Sequence, residues 1–167
     1  MTIVKRPLFL DRDGVINRKA APHEYITNVT EFKFLPGAVS AFKQLSGVGY
    51  EFYIITNQAG IARKKMTPRA LDAIHKHLAK ELKKDGVYIK DTYVCPHGYD
   101  DGCECRKPKP GMLRLAAQEH EIDLSQAVYI GDEEKDHLVA TSVGMRFIQV
   151  PSEQGLAAAL PELLSLH

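Results

Sequence analysis

Two aspartates separated by one residue, Asp11 and Asp13, close an apolar run that starts at Pro7, and Gly14 follows them at once. Burying one carboxylate beside another is costly unless a cation lies between them, so two acids at the tip of a buried strand ask for a metal. Taken alone, the stretch also reads as an ordinary strand-to-turn junction, since Asp and Gly favour turns. The pattern recurs, however. The run 51–57 ends in Thr56 and Asn57, and the run 126–130 leads through Gly131 to Asp132, with Asp136 one helical turn later. Arg106 and Lys107 form a cationic pair between a further strand and its helix. Carboxylates from separate strands, with a lysine, a threonine and an arginine, are the parts phosphoryl transfer needs. Mg²⁺ prefers oxygen ligands, few of them from protein. Hydroxyl, amide and cationic donors hold the equatorial oxygens of the transferring group.

A second cluster is of another kind. Cys95, Cys103 and Cys105, with His97 among them, lie within eleven consecutive positions and include every cysteine of the chain. An odd count without a visible signal segment argues against a disulfide framework. Three sulfurs and one imidazole suit a closed tetrahedral Zn²⁺ site, which leaves no open position and is therefore structural.

The elements that must position these groups alternate between strand and helix. Apolar runs at 7–10, 51–57, 92–94, 126–130 and 146–150 read as strands. Pro36-Gly37 opens a short helix closed by Gly47 and Gly49. Thr67-Pro68 starts another, with Thr67 as N-cap and Pro68 at the first helical position. Its Leu71, Ile74, Leu78 and Leu82 repeat at helical spacing, and His75 and His77 read as surface or edge residues. Pro110-Gly111 opens a further helix, a short one follows Asp132, and Leu156 to Leu164 form the last. The polar stretch 18–30 lacks periodicity and reads as a loop beside the site. Repeated strand–helix units predict an α/β fold: a doubly wound parallel sheet, Rossmann-like, with helices on both faces and its active site at the carboxyl ends of the strands.

The whole chain, residues 1–167, is expected to form a single domain. Its hydrophobic fraction of 44% and charged fraction of 26% are those of a globular protein. A formal net charge of +1 gives no global field to recruit nucleic acid or an anionic membrane. No apolar run is long enough to span a bilayer. A cytoplasmic monomer acting on a small phosphorylated metabolite is the expectation, with neither nucleic acid nor membrane as partner.

The motifs carry a family resemblance. Leu10-Asp11-Arg12-Asp13-Gly14, Ile55-Thr56-Asn57, Arg106-Lys107-Pro108 and Gly131 to Asp136 resemble, in order and spacing, the four motifs of the haloacid dehalogenase-like phosphatases. The stretches 56–63, 95–108 and 109–113 resemble, within that superfamily, the heptose-1,7-bisphosphate 7-phosphatase family closely, and the histidinol-phosphate phosphatases somewhat less.

The resemblance implies an Mg²⁺-dependent phosphatase working through an aspartyl-phosphate, on a sugar bisphosphate in the first instance. It implies Asp11 as nucleophile and Asp13 as general acid and base, with Asp11, Asp13 and Asp132 holding Mg²⁺. It implies Thr56, Asn57 and Lys107 on the phosphoryl oxygens, with Lys107 also orienting Asp11. Arg106 would clamp the substrate, and Asn17 is close enough to line the pocket. Asp136 reads as a helix cap or as an indirect partner of the metal. The zinc loop of the related enzymes agrees with Cys95, His97, Cys103 and Cys105. The chain departs from its relatives after Asp132, where Lys or Arg is common and Glu133 stands instead. An acid there would repel a phosphate, and Glu133 with Glu134 would tolerate an amine. The intervals between motifs, about 40 and about 50 residues and already used by elements, leave no room for a separate cap domain.

Overall fold

The computed structural model describes residues 5–166. Five parallel strands form one sheet in the order β3-β2-β1-β4-β5. They are β1 (Arg6–Leu10), β2 (Tyr50–Asn57), β3 (Ile89–Cys95), β4 (Val128–Gly131) and β5 (Arg146–Gln149). The helices are α1 (Ala38–Gly47), α2 (Pro68–Lys83), α3 (Gly111–His120), α4 (Glu134–Ser142) and α5 (Leu156–Ser165).

β1 lies at the centre because its side chains are apolar on both faces, as a strand covered on both sides requires. Leu8 and Leu10 pack with α1, α2 and α5 through Phe42, Leu45, Ile74, Leu78 and Leu163. Phe9 faces the other way, into Tyr53, Tyr129, Leu113 of α3 and Val139 of α4. The two faces therefore carry separate cores. Strand order reverses where β1 meets β4, so the crevice at the carboxyl end of β1 is the switch point where such sheets bind ligands.

Local signals set the boundaries. Thr67 caps α2 by accepting from the Ala70 N–H at 3.1 Å, as the Thr-Pro pair predicts. β3 is longer than the 92–94 run: it lies at the sheet edge, half-buried, where apolar content is no guide to length. Gln126 belongs to a 3₁₀ turn held by the Asp123 carboxylate on Ser125 N at 2.9 Å, so β4 begins two residues later than its apolar run. No helix among the described residues is long and apolar enough to cross a membrane. Phe32 and Leu35 are core residues.

Candidate active site

Asp11 follows the last residue of β1, its N–H bonded to the Ile130 carbonyl at 3.0 Å. One carboxylate oxygen, Oδ1, accepts from Lys107 Nζ at 2.9 Å. The residue is 6% exposed and lines a cavity of about 560 Å³ at the carboxyl end of the sheet. Lys107, on the loop entering α3, is buried and spends its ammonium on several groups at once. It reaches Asp136 Oδ1 at 2.7 Å, the Ile55 carbonyl at 3.0 Å and the Tyr129 hydroxyl at 3.1 Å.

Asp136 is fully buried. Its other oxygen accepts from Glu133 N at 3.3 Å, and Glu133 is the N-cap of α4. Asp136 is thus a helix cap and a second anchor for Lys107. Gly131 makes this approach possible, since a Cβ there would meet the Asp136 Cγ at 2.6 Å. Burial, then the Asp136 carboxylate, push the Asp11 pKa well above the usual carboxylate range despite Lys107. Burial alone would discharge Lys107, but Asp11, Tyr129 and Asp136 outweigh it and hold the ammonium charged.

Asp13 is organised by neighbours that its motif did not reveal. The fully buried Arg12 donates to Asp13 Oδ1 through Nη2 at 2.8 Å and Nε at 3.3 Å. Asn17 Nδ2 reaches the same oxygen at 2.8 Å, and Gln58 Nε2 reaches Oδ2 at 3.0 Å. Burial opposes the charge, but Arg12, Asn17 and Gln58 win and hold Asp13 below its ordinary pKa. Arg12 is anchored from behind: its Nη1 lies 3.1 Å from Nε2 of His75 on α2. Burial, then the Arg12 charge, lower the His75 pKa to about 4, so the ring is neutral and accepts this bond. His75 is therefore a working part of the site rather than only an edge residue. Its spacing from Leu71 and Leu78 puts it beside the buried stripe of α2, a signal the sequence did contain.

Some expected pocket residues lie behind the wall instead. Asn17 is fully buried, with its amide on Asp13 and on the Arg18 carbonyl at 3.0 Å. It supports Asp13 and does not line the cavity. Thr56 is buried, and its hydroxyl accepts from Gln58 Nε2 at 2.8 Å. Asn57 lines the cavity, yet its amide is used on the Lys107 backbone, accepting at 3.0 Å and donating at 3.3 Å. Arg106 lines the cavity with its guanidinium 4.2 Å from the centre of the Tyr99 ring. Its Nη1 is buried without a hydrogen-bond partner among the described residues. Arg63 and Lys64, the start of a basic run, are exposed, and neither lines the cavity. His120 is half-buried and bonded to Asp91 at 2.9 Å.

Glu133 does face the cavity, but not as a free acid. Lys19, from the loop after β1, contacts its Oε1, and Lys135 Nζ lies 2.6 Å from its Oε2. Burial opposes them, yet the two ammoniums lower the Glu133 pKa to about 2. Lys19 also reaches Asp132 Oδ2 at 2.6 Å. No sequence pattern pointed to Lys19, which sits in an aperiodic loop.

Two groups of side chains are shaped for metals. Asp11, Asp132 and Asp136 bring ligand oxygens within 4.8 Å of one another. Asp132 Oδ1 is buried and has no hydrogen-bond partner among the described residues. Gly14, at φ 84°, lets the turn after Asp13 press against Asp132, where any Cβ would strike the carboxylate. A hard dication fits this orphaned oxygen and this excess of carboxylates. In the other group, Cys95, His97, Cys103 and Cys105 also lie within 4.8 Å of one another. Cys95 Sγ is 3.7 Å from Cys103 Sγ and 3.6 Å from His97 Nδ1, which is 3.2 Å from Cys105 Sγ. Bonds of about 2.3 Å to sulfur and about 2.0 Å to nitrogen at a tetrahedral ion give separations near these. The loop borders the site directly, since Cys105 precedes Arg106 and Lys107.

Comparison with known proteins agrees with the arrangement. The HAD-hydrolase-like family model matches residues 104–163. The D-glycero-beta-D-manno-heptose-1,7-bisphosphate 7-phosphatase of Pseudomonas putida is 40% identical over 158 residues, covering 93% of this chain and 89% of its own. The D-glycero-alpha-D-manno-heptose-1,7-bisphosphate 7-phosphatase of Photorhabdus laumondii is 38% identical over 136 residues, covering 77% of this chain and 72% of its own. The crystal structure of D,D-heptose 1,7-bisphosphate phosphatase from B. bronchiseptica, in complex with magnesium and phosphate, superposes with a TM-score of 0.88 at 30% identity. It covers 97% of this chain and 99% of that one.

Proposed function

This chain belongs to the haloacid dehalogenase-like phosphatases, in the family of the heptose-1,7-bisphosphate 7-phosphatases, and from that premise we propose that it removes the 7-phosphate of D-glycero-D-manno-heptose 1,7-bisphosphate. The carrying observation is Asp11: Lys107 holds one carboxylate oxygen, and the residue faces a cavity it shares with Asp13 and Arg106. Asp11 attacks phosphorus, the bond to the sugar oxygen breaks, and Asp13 protonates that oxygen as it leaves. Asp13 then takes a proton from water. The resulting hydroxide attacks phosphorus, the bond to Asp11 breaks, and inorganic phosphate leaves. The donors on Asp13 keep it a carboxylate in the free protein. The proton it passes to the leaving oxygen is therefore taken up on formation of the substrate complex.

The remaining roles follow the geometry. Lys107 orients Asp11 and compensates its charge, while Asn57 fixes the Lys107 backbone. The Thr56 hydroxyl, accepting from Gln58, keeps its own proton for a phosphoryl oxygen. Arg106 clamps the substrate with its unpartnered Nη1. Asp11, the Asp13 backbone carbonyl and Asp132 would hold Mg²⁺, which when bound supplies charge stabilisation to the phosphoryl oxygens. Asp136 acts one step back, through Lys107. Zn²⁺ on Cys95, His97, Cys103 and Cys105 would be structural and would fix the path of the chain into Arg106 and Lys107.

The same reading takes residues 1–167 as one monomeric, cytoplasmic phosphatase domain, and as capless because the element-poor loops 18–30 and 96–110 border the cavity. Near-neutral charge speaks against a nucleic-acid substrate. Against histidinol phosphate stands the occupancy of Glu133, whose two oxygens are taken by lysines. Glu134 is exposed and outside the cavity, so neither acid is free for an amine.

The test is phosphate release with Mg²⁺ from both anomers of heptose 1,7-bisphosphate, histidinol phosphate, simple sugar phosphates and a 3′-phosphorylated oligonucleotide. Asp11→Asn is the control. Preference for a heptose bisphosphate, lost in the control, is the expected result. Preference for histidinol phosphate or the oligonucleotide would overturn the substrate assignment.

A further inference from the structure

Tyr129 is fully buried on β4, and its hydroxyl lies at the junction that holds Lys107: 3.1 Å from the ammonium and 3.2 Å from Asp136 Oδ1. Four oxygens crowd that ammonium, those of Asp11, Asp136, Ile55 and Tyr129, at 2.7 to 3.1 Å. An ammonium has three protons. The two carboxylates and the Ile55 carbonyl can only accept, so they take all three. The Tyr129 oxygen is the farthest of the four and the one that carries a proton of its own. Burial raises its pKa well above the phenol range, against the pull of Lys107, so the proton stays on. Its acceptor among the described residues is Asp136 Oδ1. One buried carboxylate oxygen therefore receives two donors, Lys107 and Tyr129, and only Lys107 also serves the nucleophile.

We propose that Tyr129 is a positioning residue for the reaction: its hydroxyl holds Asp136 and so lets Lys107 follow the charge that leaves Asp11. This role rests on the aspartyl-phosphate reading above and adds to it how Lys107 is released. When Asp11 attacks phosphorus, the charge of its carboxylate passes to the phosphoryl oxygens, and the ammonium is drawn after it. Asp136 keeps its full charge and draws the ammonium back. Without Tyr129, an Asp136 Oδ1 that loosened its hold on Lys107 would be a buried carboxylate oxygen with no donor, which is costly. The Tyr129 proton removes that penalty, because it is in place before the step begins. No proton changes hands: Lys107 keeps three and Tyr129 keeps one, and only the distances to their acceptors differ. In the resting protein Asp136 is satisfied even without the hydroxyl, with Oδ1 on Lys107 and Oδ2 on Glu133 N. The hydroxyl thus matters more during the reaction than before it, and such an interaction is felt in kcat rather than in KM. The ring packs in the core beside Phe9 and Val139, so Tyr129→Phe keeps the packing and removes the oxygen alone.

The experiment pairs two measurements. In the first, kcat and KM for phosphate release with Mg²⁺ are determined on the best substrate of the panel above, together with thermal melts. The proteins are the wild type, Tyr129→Phe, Asp136→Asn and the double variant. Tyr129→Phe is expected to lower kcat about tenfold, the worth of one hydrogen bond to a charged group, with KM and melting temperature close to the wild type's. In the Asp136→Asn background the oxygen left behind is neutral, so the same change should cost less than about twofold. In the second, the buried hydroxyl proton, identified by its loss in Tyr129→Phe, is followed by proton NMR. Beryllofluoride, which with Mg²⁺ builds a phosphoryl-like group on Asp11, is added to the wild type. The resonance should move downfield as Asp136 leans on Tyr129, and this arm needs neither turnover nor the Asp136 variant. Wild-type kcat in Tyr129→Phe, an equal loss in both backgrounds, or a hydroxyl proton that does not move would overturn the role of Tyr129 and leave the phosphatase reading intact. A wild type that releases no phosphate from any substrate of the panel would overturn both.

Discussion

Replacing Lys107 by Met is the sharpest perturbation the site offers. The ammonium is buried between Asp11 and Asp136, at 2.9 and 2.7 Å. Removing one partner of a buried ionic group costs about 3–5 kcal/mol, because the carboxylates left behind are neither solvated nor paired. Met fills most of the Lys volume, so the loss is electrostatic rather than a cavity. It is also pH-dependent, with a definite sign. Lys107 has a raised folded pKa, so its stabilisation is complete at neutral pH and fades only as pH rises through that folded value. Asp11, already raised, rises further in the variant. Its folded form then binds protons more readily than its unfolded form, so the variant gains stability as pH falls. Urea unfolding at pH 5, 6, 7 and 8 is expected to show a deficit of about 3–5 kcal/mol at pH 8 that narrows towards pH 5. Phosphate release should be lost at every pH. A deficit below about 1 kcal/mol at pH 8, or one that does not change with pH, would refute the argument that Lys107 is the counter-charge of a buried carboxylate pair.

Three further outcomes follow from the same geometry. His75 has its pKa lowered from 6.5 to about 4, so the unfolded chain binds more protons between those values and stability falls as pH drops through them. His75→Gln, which keeps an acceptor for Arg12, should flatten that fall in thermal melts between pH 7 and pH 4. Gly131→Ala places a Cβ inside contact distance of the Asp136 side chain. It should lower both thermal stability, by about 1–3 kcal/mol, and turnover, through displaced Lys107. On the reading that Cys95, His97, Cys103 and Cys105 hold Zn²⁺, a chelator that spares Mg²⁺ should raise amide exchange across residues 95–107 and reduce turnover, both restored by added Zn²⁺.

The sheet was legible because a central parallel strand is apolar on both faces, and 7–10, 51–57 and 126–130 show that pattern plainly. The Thr67 cap was legible because its chemistry is local. The meeting of Asp11, Lys107, Asp132 and Asp136 was legible because strand ends in a parallel sheet share one edge. What escaped depends on which way a side chain turns. Asn17 lies close to Asp13 in sequence but turns inward, beneath it. Arg12, between two acids, gives no periodic signal that it is the largest fully buried side chain among the described residues. Lys19 sits in a loop whose path no pattern encodes, and without it Glu133 reads as a lone acid that should repel phosphate.

The buried floor and the exposed mouth of the site are unbalanced in opposite directions, and that opposition narrows what can bind. On the floor, Asp11, Asp13, Asp132 and Asp136 face only Arg12 and Lys107 as buried cations, with Lys19 reaching in from the mouth. At the mouth, Lys135, Arg106 and Lys19, the last shared with Asp132 on the floor, stand against Glu133 and the solvated Glu24. A floor short of positive charge favours a dication, and one oxygen of Asp132 has no partner among the described residues and is open to receive it. A mouth short of negative charge favours an anion and disfavours an ammonium. Histidinol phosphate brings its cationic amine to the mouth, whereas a sugar bisphosphate brings a second anion there. Glu133 therefore cannot be read from its own charge. With a lysine on each oxygen it is not a free acid at the mouth, and the repulsion its charge alone would predict is offset.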